Sequence, residues 1–85
     1  MSELDPLIAT LETLDARGLL CPLPVIRTQN RIKGMLPGAL LDVLASDPGA
    51  LHDIPAWCRV HGHAVVETHQ QDRAIRIRVR VCAPR

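Results

Sequence analysis

Residues Ala74 to Val81 read AIRIRVRV, an alternation that sends Ile75, Ile77, Val79 and Val81 to one side and Arg76, Arg78 and Arg80 to the other. Successive side chains of a strand project to opposite faces, so this stretch is a strand with one packed and one wet face. A sheet that is wet on one side must be covered from the other, and this sets the layering of the whole chain. Ala64 to Thr68 reads as a partner strand joined through the polar turn HQQD, His69 to Asp72, which makes a hairpin.

Upstream, LLDVLA at Leu40 to Ala45 is a short apolar run between turn signals, the pattern of a well-buried strand. Asp47 and Pro48 then supply an N-cap and a first helical residue, with Leu51, Ile54 and Cys58 on one helical face. Pro55 predicts a kink or restart in that helix, and Gly62 its stop. An earlier helix begins at Pro22, with Val25, Ile26, Ile32 and Leu36 on one face and Arg27 and Arg31 opposite. Proline is tolerated in a first helical turn, so Pro22 and Pro24 mark the start, and Pro37-Gly38 closes the helix. Leu14 to Ala16 is a short first strand entering the RGLL turn. The order is βαβαββ, and the wet sheet face requires both helices on the same side. The expected fold is therefore α/β (α+β): a two-layer sandwich with a four-stranded mixed sheet and two helices on one face.

Eighty-five residues allow one small core, here expected over residues 12–82, with a flexible leader at 1–11 and a tail at 83–85. A net charge of +1, with 47% hydrophobic and 22% charged residues, describes a globular chain without a global field toward nucleic acid or anionic membrane. Glu3, Asp5 and Glu12 in the first residues do not fit a secretory signal, and no apolar run approaches the roughly 18 residues of a membrane span. A cytoplasmic, thiol-reducing location is expected. Cys21, Cys58 and Cys82 are odd in number and none forms a C-x-x-C pair, which argues against a disulfide framework or a dithiol redox motif.

Cys21 stands in DARGLLCPLPVI, Asp15 to Ile26, at or next to the N-cap of the first helix. The positive end of the helix dipole favours an anionic sulfur there and lowers the thiol pKa. Because Pro22 and Pro24 lack an N–H, the amides of Leu23 and Val25 are the expected donors toward the sulfur. Against this stands the reading of Cys21 as a small packed hydrophobe, the lot of most free cysteines. None of His52, His61, His63 and His69 lies near Cys21 in sequence, so a lone activated thiol suits group transfer better than hydrolysis.

The segment LDARGLLCPLPVIRTQNRIKGMLPGALLDVLASDP from Leu14, followed by DIPAWC at Asp53 to Cys58, resembles the TusA (SirA/YedF-like) family of small sulfur carriers. The similarity runs from about Leu14 to near Val81. The Cys-Pro-x-Pro signature falls on Cys21, Pro22, Leu23 and Pro24, flanked by Asp15, Arg17, Gly18 and Leu19. The resemblance implies the same βαβαββ sandwich. It also implies that Cys21 carries sulfane sulfur as a persulfide, with no metal or organic cofactor. Sulfur would come from a cysteine desulfurase or rhodanese-like donor and pass to a DsrE-like or TusD-like acceptor. Such a chain is a sulfurtransferase-type carrier rather than an enzyme with small-molecule turnover of its own. Family branches serve transfer-RNA thiolation, dissimilatory sulfur oxidation and molybdenum-cofactor enzymes; Leu23, where some transfer-RNA members carry Glu, counts against the first.

On this reading Gly18, Pro22 and Pro24 shape the turn, and Arg17, Arg27 and Arg31 are docking charges near the Cys21 end. The carrier is expected to be a monomer that meets partners transiently. The competing reading is a noncatalytic regulatory or binding module using the stripe of Arg73, Arg76, Arg78 and Arg80, with Cys21 merely packed. That stripe is equally a solvated face that discourages edge aggregation. A redox sensor would need Cys58 or Cys82 as resolving thiol. Cys58 falls on the packed face of its helix and reads as core, while Cys82 sits where the last strand frays. The C-x-x-H-x-H cluster of Cys58, His61 and His63 lacks a fourth zinc ligand unless Cys82 or His69 folds in, so satisfied or solvated surface histidines are expected. With Trp57 the single aromatic, the chain has no platform for stacking bases, and direct nucleic-acid binding is not expected.

Overall fold

The computed structural model describes residues 10–83. The expected leader therefore lies outside the described residues except for Thr10 and Leu11, and the tail except for Ala83. The elements are β1 (Leu11–Asp15), α1 (Leu23–Ile32), β2 (Leu40–Ala45), α2 (Ala50–His61), β3 (Ala64–Gln71) and β4 (Ala74–Arg80). They form one four-stranded mixed sheet in the order β1-β2-β4-β3, parallel between β1 and β2 and antiparallel elsewhere.

Strand β4 lies in the middle of the sheet because its residues are the ones that can be buried from both neighbours. Ile75, Ile77 and Val79 are buried and sit in register with Ala45, Val43 and Leu41 of β2, all buried as well. Helix α1 packs on β1 and β2, α2 packs on β3 and β4, and the two helices touch each other. Ile54 and Cys58 of α2 and Ile32 of α1 join the strands in one core. Full burial of a side chain such as Ile54 or Ile77 contributes about 1.5–3 kcal/mol.

Helix α1 differs from its expected span. It ends at Ile32, and Leu36 is 79% exposed. Its buried line is Pro24, Thr28 and Ile32, an i, i+4, i+8 ridge, whereas Ile26 is exposed. Thr28 can be buried because its hydroxyl donates to the Pro24 carbonyl at 2.8 Å, and a polar residue on the core line is what the apolar count passes over. Helix α2 is continuous across Pro55, without the expected restart, although the proline has no N–H to offer the Leu51 carbonyl. Gly62 ends it in the left-handed conformation (φ 81°). The hairpin turn is Asp72-Arg73, shorter than HQQD: His69, Gln70 and Gln71 stay in β3, paired with β4, and Asp72 takes the positive φ of 56°. Strand β1 begins at Leu11, three residues before the expected start, because it pairs Leu11 with Leu40 at the head of β2.

The open sheet face is not simply wet. Asp42, Arg78 and Glu67 lie in register across β2, β4 and β3. Arg78 donates from Nε and Nη2 to both oxygens of Asp42, at 2.7 and 2.9 Å, and Arg76 approaches the same carboxylate at 3.7 Å. Asp42 is 7% exposed, so its charge relies on these partners.

Two outcomes follow. The Arg78 hydrogen bonds, and then the arginine charges, hold the Asp42 carboxyl below its ordinary range against the opposing effect of burial. A depressed folded-state pKa contributes stability that is present above the unfolded value of about 3.9 and lost as pH falls through the folded one. Asp42→Asn should therefore lower stability at pH 7 by about 1–3 kcal/mol and flatten the acid loss below pH ~4, read as urea midpoints across pH. An unchanged acid slope would contradict this. For Cys58, burial raises the thiol to about 11, and its side chain is 1% exposed. Mass mapping after iodoacetamide at pH 8 should find Cys58 unmodified in the folded chain and modified in urea.

Candidate functional site

The chain between β1 and α1 is tied to the end of β2 by a series of hydrogen bonds. The Ala16 amide donates to the Leu44 carbonyl at 2.8 Å, the Gly18 amide to Ser46 Oγ at 2.8 Å, and the Cys21 amide to Asp47 Oδ2 at 3.0 Å. Gly18 adopts φ 81°, a conformation an L side chain resists, and the turn needs glycine there. Pro22 is the N-cap of α1, its carbonyl accepting from Val25 and Ile26, and the Cys21-Pro22 peptide bond is cis. Cys21 thus lies next to the helix N-terminus, as expected.

Its electrostatics differ from expectation. The Leu23 amide donates to the Leu20 carbonyl at 2.8 Å and the Val25 amide to the Pro22 carbonyl at 3.1 Å, so neither serves the sulfur. Instead the exposed Cys21 thiol donates to Asp53 Oδ2 at 2.8 Å. The thiol is held above the ordinary cysteine value, first by that hydrogen bond, then by burial, then by the charges of Asp53 and Asp47. The macrodipole of α1 amounts to about half a charge spread over a turn, whereas Asp53 brings a full charge in direct contact, and the nearer and larger charge wins. The lowered thiol pKa expected from the helix start is replaced by a raised one.

Asp47 and Asp53 converge at Gly49. A Cβ on that glycine would lie 3.6 Å from both Asp47 carboxylate oxygens and 3.7 Å from Asp53 Oδ2. Asp47 also accepts the Gly49 amide at 3.1 Å, and the formal N-cap of α2 is Gly49 rather than Asp47. In the sequence Asp47 reads as a helix cap and Asp53 only as the opening residue of DIPAWC; their meeting with Cys21 depends on how the strands pair. Leu20, Leu23 and Ile26 are exposed at 71%, 42% and 43%, an apolar rim beside the thiol.

The remaining site candidates separate. Arg17 is exposed but committed to Asp15, donating from Nε and Nη2 at 2.8 and 2.9 Å; this pairing takes Asp15 down to about 2. Pro24 is buried and accepts the Thr28 hydroxyl. Arg27 is exposed on α1. Arg31 is not near the Cys21 end: it lies in the last turn of α1, about 12 Å along the helix from its first residue, and pairs with Glu12 at 3.2 Å. Of the sheet arginines, Arg76 and Arg78 are matched by Asp42 and Glu67, so much of the basic stripe is neutralised. Cys82 is half-buried, and its amide donates to His63 Nδ1 at 3.1 Å.

Of the histidines expected to be satisfied or solvated, two lie against Trp57: the His61 ring is tilted by 31° at a 4.7 Å ring separation, and the His63 ring stacks at 5.4 Å. These rings, with Met35 and Cys82, line a cleft of about 440 Å³ at the far end of both helices from Cys21. Among the described residues no His, Cys, Asp or Glu side chains gather as a metal-holding group, and no helix is long and apolar enough to cross a membrane.

Comparison with known proteins places this geometry. The sulfur carrier protein TusA of Pseudomonas aeruginosa is 45% identical over 58 residues, covering 68% of this chain and 73% of that protein. A relative from Neisseria meningitidis is 46% identical over 61 residues, covering 72% of this chain and 82% of its own length. The crystal structure of a SirA-like protein from Desulfitobacterium hafniense shares the fold, with a TM-score of 0.74 at 22% identity over 85% of this chain and 99% of that one. Residues 12–81, from β1 through the end of β4, match the family model described as sulfurtransferase TusA, and the chain belongs to that family.

Proposed function

We propose that the protein is a sulfur carrier that accepts sulfane sulfur as a persulfide on Cys21 and passes it to a cysteine of a partner. The observation that carries this reading is the placement of the thiol. Cys21 is the exposed cysteine of the three, standing on a hydrogen-bonded turn inside the region matched to the family, while Cys58 is core and Cys82 half-buried. The names of relatives such as the Pseudomonas TusA support the same role.

The chemistry needs no net redox change. Cys21 as thiolate attacks the outer sulfur of a donor persulfide; the new S–S bond forms, the donor's S–S bond breaks, and the donor cysteine leaves as a thiolate. In the second half an acceptor thiolate attacks the outer sulfur on Cys21, and Cys21 leaves with the bonding pair. A cysteine desulfurase or rhodanese-like protein fits the donor role and a DsrE-like or TusD-like protein the acceptor role, with no metal or organic cofactor in either step. The turn made by Gly18, Pro22 and Pro24 holds the thiol outward, and Arg17 and Arg27 are the arginines positioned to meet a partner at that end. Work of this kind suits a monomer in the cytoplasm, where free thiols persist.

The test is intact-protein mass spectrometry after incubation with cysteine and a cysteine desulfurase, or with polysulfide, for the wild type and Cys21→Ser. The wild type should gain the mass of one sulfur, removable by a thiol reductant, and Cys21→Ser should gain none. A gain that survives Cys21→Ser would remove Cys21 from the role.

A further inference from the structure

We propose that Asp53 is a positioning residue that keeps Cys21 of the empty carrier in its protonated thiol form, hydrogen-bonded against the first turn of α2. The inference rests on the carrier reading of Cys21 and concerns the state in which that thiol waits. Its basis is geometric: the sulfur lies 2.8 Å from Asp53 Oδ2, and a carboxylate accepts hydrogen bonds but has none to donate, so the shared proton belongs to sulfur. Losing that proton would leave two anions in contact.

The surroundings favour the same state. Asp53 is the acidic residue of the first turn of α2, where the helix dipole favours a negative charge. Asp47 adds a second carboxylate at the same point, its two oxygens and Asp53 Oδ2 all within 3.7 Å of the Cβ position that Gly49 leaves empty. On the Cys21 side, the segment Gly18 to Ile26 carries no charged side chain; of the cations flanking it, Arg17 is bound to Asp15 and Arg27 is exposed on α1. From α2, His52 next to Asp53 is exposed; from the hairpin, Asp72 and Arg73 line a cleft with Leu20 and Asp47, with Arg73 the cation that faces this corner. The raised thiol value noted above agrees with this arrangement.

The consequence is a carrier whose empty thiol reacts slowly with small oxidants and alkylating agents. A partner that lays a cation over Asp53 would offset its charge and free the thiolate where it is needed.

The test needs no sulfur donor. In a Cys82→Ser background, which leaves Cys21 the accessible thiol, the rate of iodoacetamide alkylation is followed from pH 6 to 11 for the parent, Asp53→Asn and Asp53→Ala, with circular dichroism to verify folding. Each unit by which the thiol midpoint falls gives about tenfold more thiolate below it, so both variants should react several-fold faster at pH 7 and show a lower midpoint. Glu67→Gln, which removes a charge on the open sheet face, should leave the profile in place. The parent chain supplies an independent reading, because its Cys21 midpoint should lie above that of N-acetylcysteine amide, a blocked cysteine without a free carboxylate. A parent midpoint at or below N-acetylcysteine amide, or folded Asp53 variants with an unmoved midpoint, would overturn the proposal. Either result leaves the sulfur gain at Cys21 to be judged on its own measurement.

Discussion

The parallel pairing of β1 with β2 is the constraint on which the site depends. Parallel neighbours run in the same direction, so the chain leaves both strands at the same edge of the sheet, and the helices that follow both begin there. The N-terminal turns of α1 and α2 are thereby brought side by side, although Cys21 and Asp53 are separated by 31 intervening residues. The hydrogen bonds from Ala16, Gly18 and Cys21 to Leu44, Ser46 and Asp47 continue the ladder past the end of the strands and convert this general placement into a fixed one. In open α/β sheets the carboxyl ends of parallel strands are where function gathers, for this reason of geometry.

With the two helix starts adjacent, their electrostatic contributions oppose each other at the sulfur. The N-terminus of α1 favours an anion, while α2 has already placed an anion at its own N-terminus in Asp53. A charge that stabilises one helix start becomes a restraint on the neighbouring thiol. The same kind of bookkeeping on the open sheet face ends in the opposite way: Asp42 is buried there, but Arg78 and Arg76 lie across it from an adjacent strand, so the charge is matched and the carboxyl pushed down. Position relative to the partner, not burial alone, sets each sign.

Those differences explain what the sequence could disclose. The fold was legible because its signals are local: AIRIRVRV alternates within one strand, LLDVLA is bounded by turns with the limits found for β2, and Pro22 and Gly62 punctuate the helices. Cys21 was legible for the same reason, as part of a contiguous Cys-Pro-x-Pro motif. Asp53 was not, since its chemistry is created by a contact with a residue far away in the chain, and in its own segment it is only the opening residue of DIPAWC. The errors in α1 have a comparable origin. Counting apolar residues put Ile26 inward; the actual rotation of the helix follows the buried Pro24, Thr28 and Ile32 ridge, which includes a hydroxyl satisfied by its own backbone. Arg31 is then drawn to Glu12 at the opposite end.

The exposure of the thiol on its turn, at the opposite end of the helices from the cleft at Trp57, is itself informative on the carrier reading. An enzyme that binds a small substrate needs a concavity to surround it. A group carried on one atom and handed to another protein must instead enter the partner's site, and a recessed sulfur would need both surfaces to deform before the two thiols could meet. Cys21 is exposed, and the apolar side chains around it, Leu20, Leu23 and Ile26, contribute nothing to the core in which their neighbours Pro24 and Thr28 are buried. Their exposure carries a solvation cost that folding does not recover, which contact with a partner would. The cleft at Trp57, His61 and His63, by contrast, lies where α1 and α2 end, on the same seam of the two-layer packing and at the greatest remove from the thiol. The chemistry is placed instead where the two helix starts converge, on an exposed thiol beside the second cleft that Gly18, Leu20 and Asp47 line.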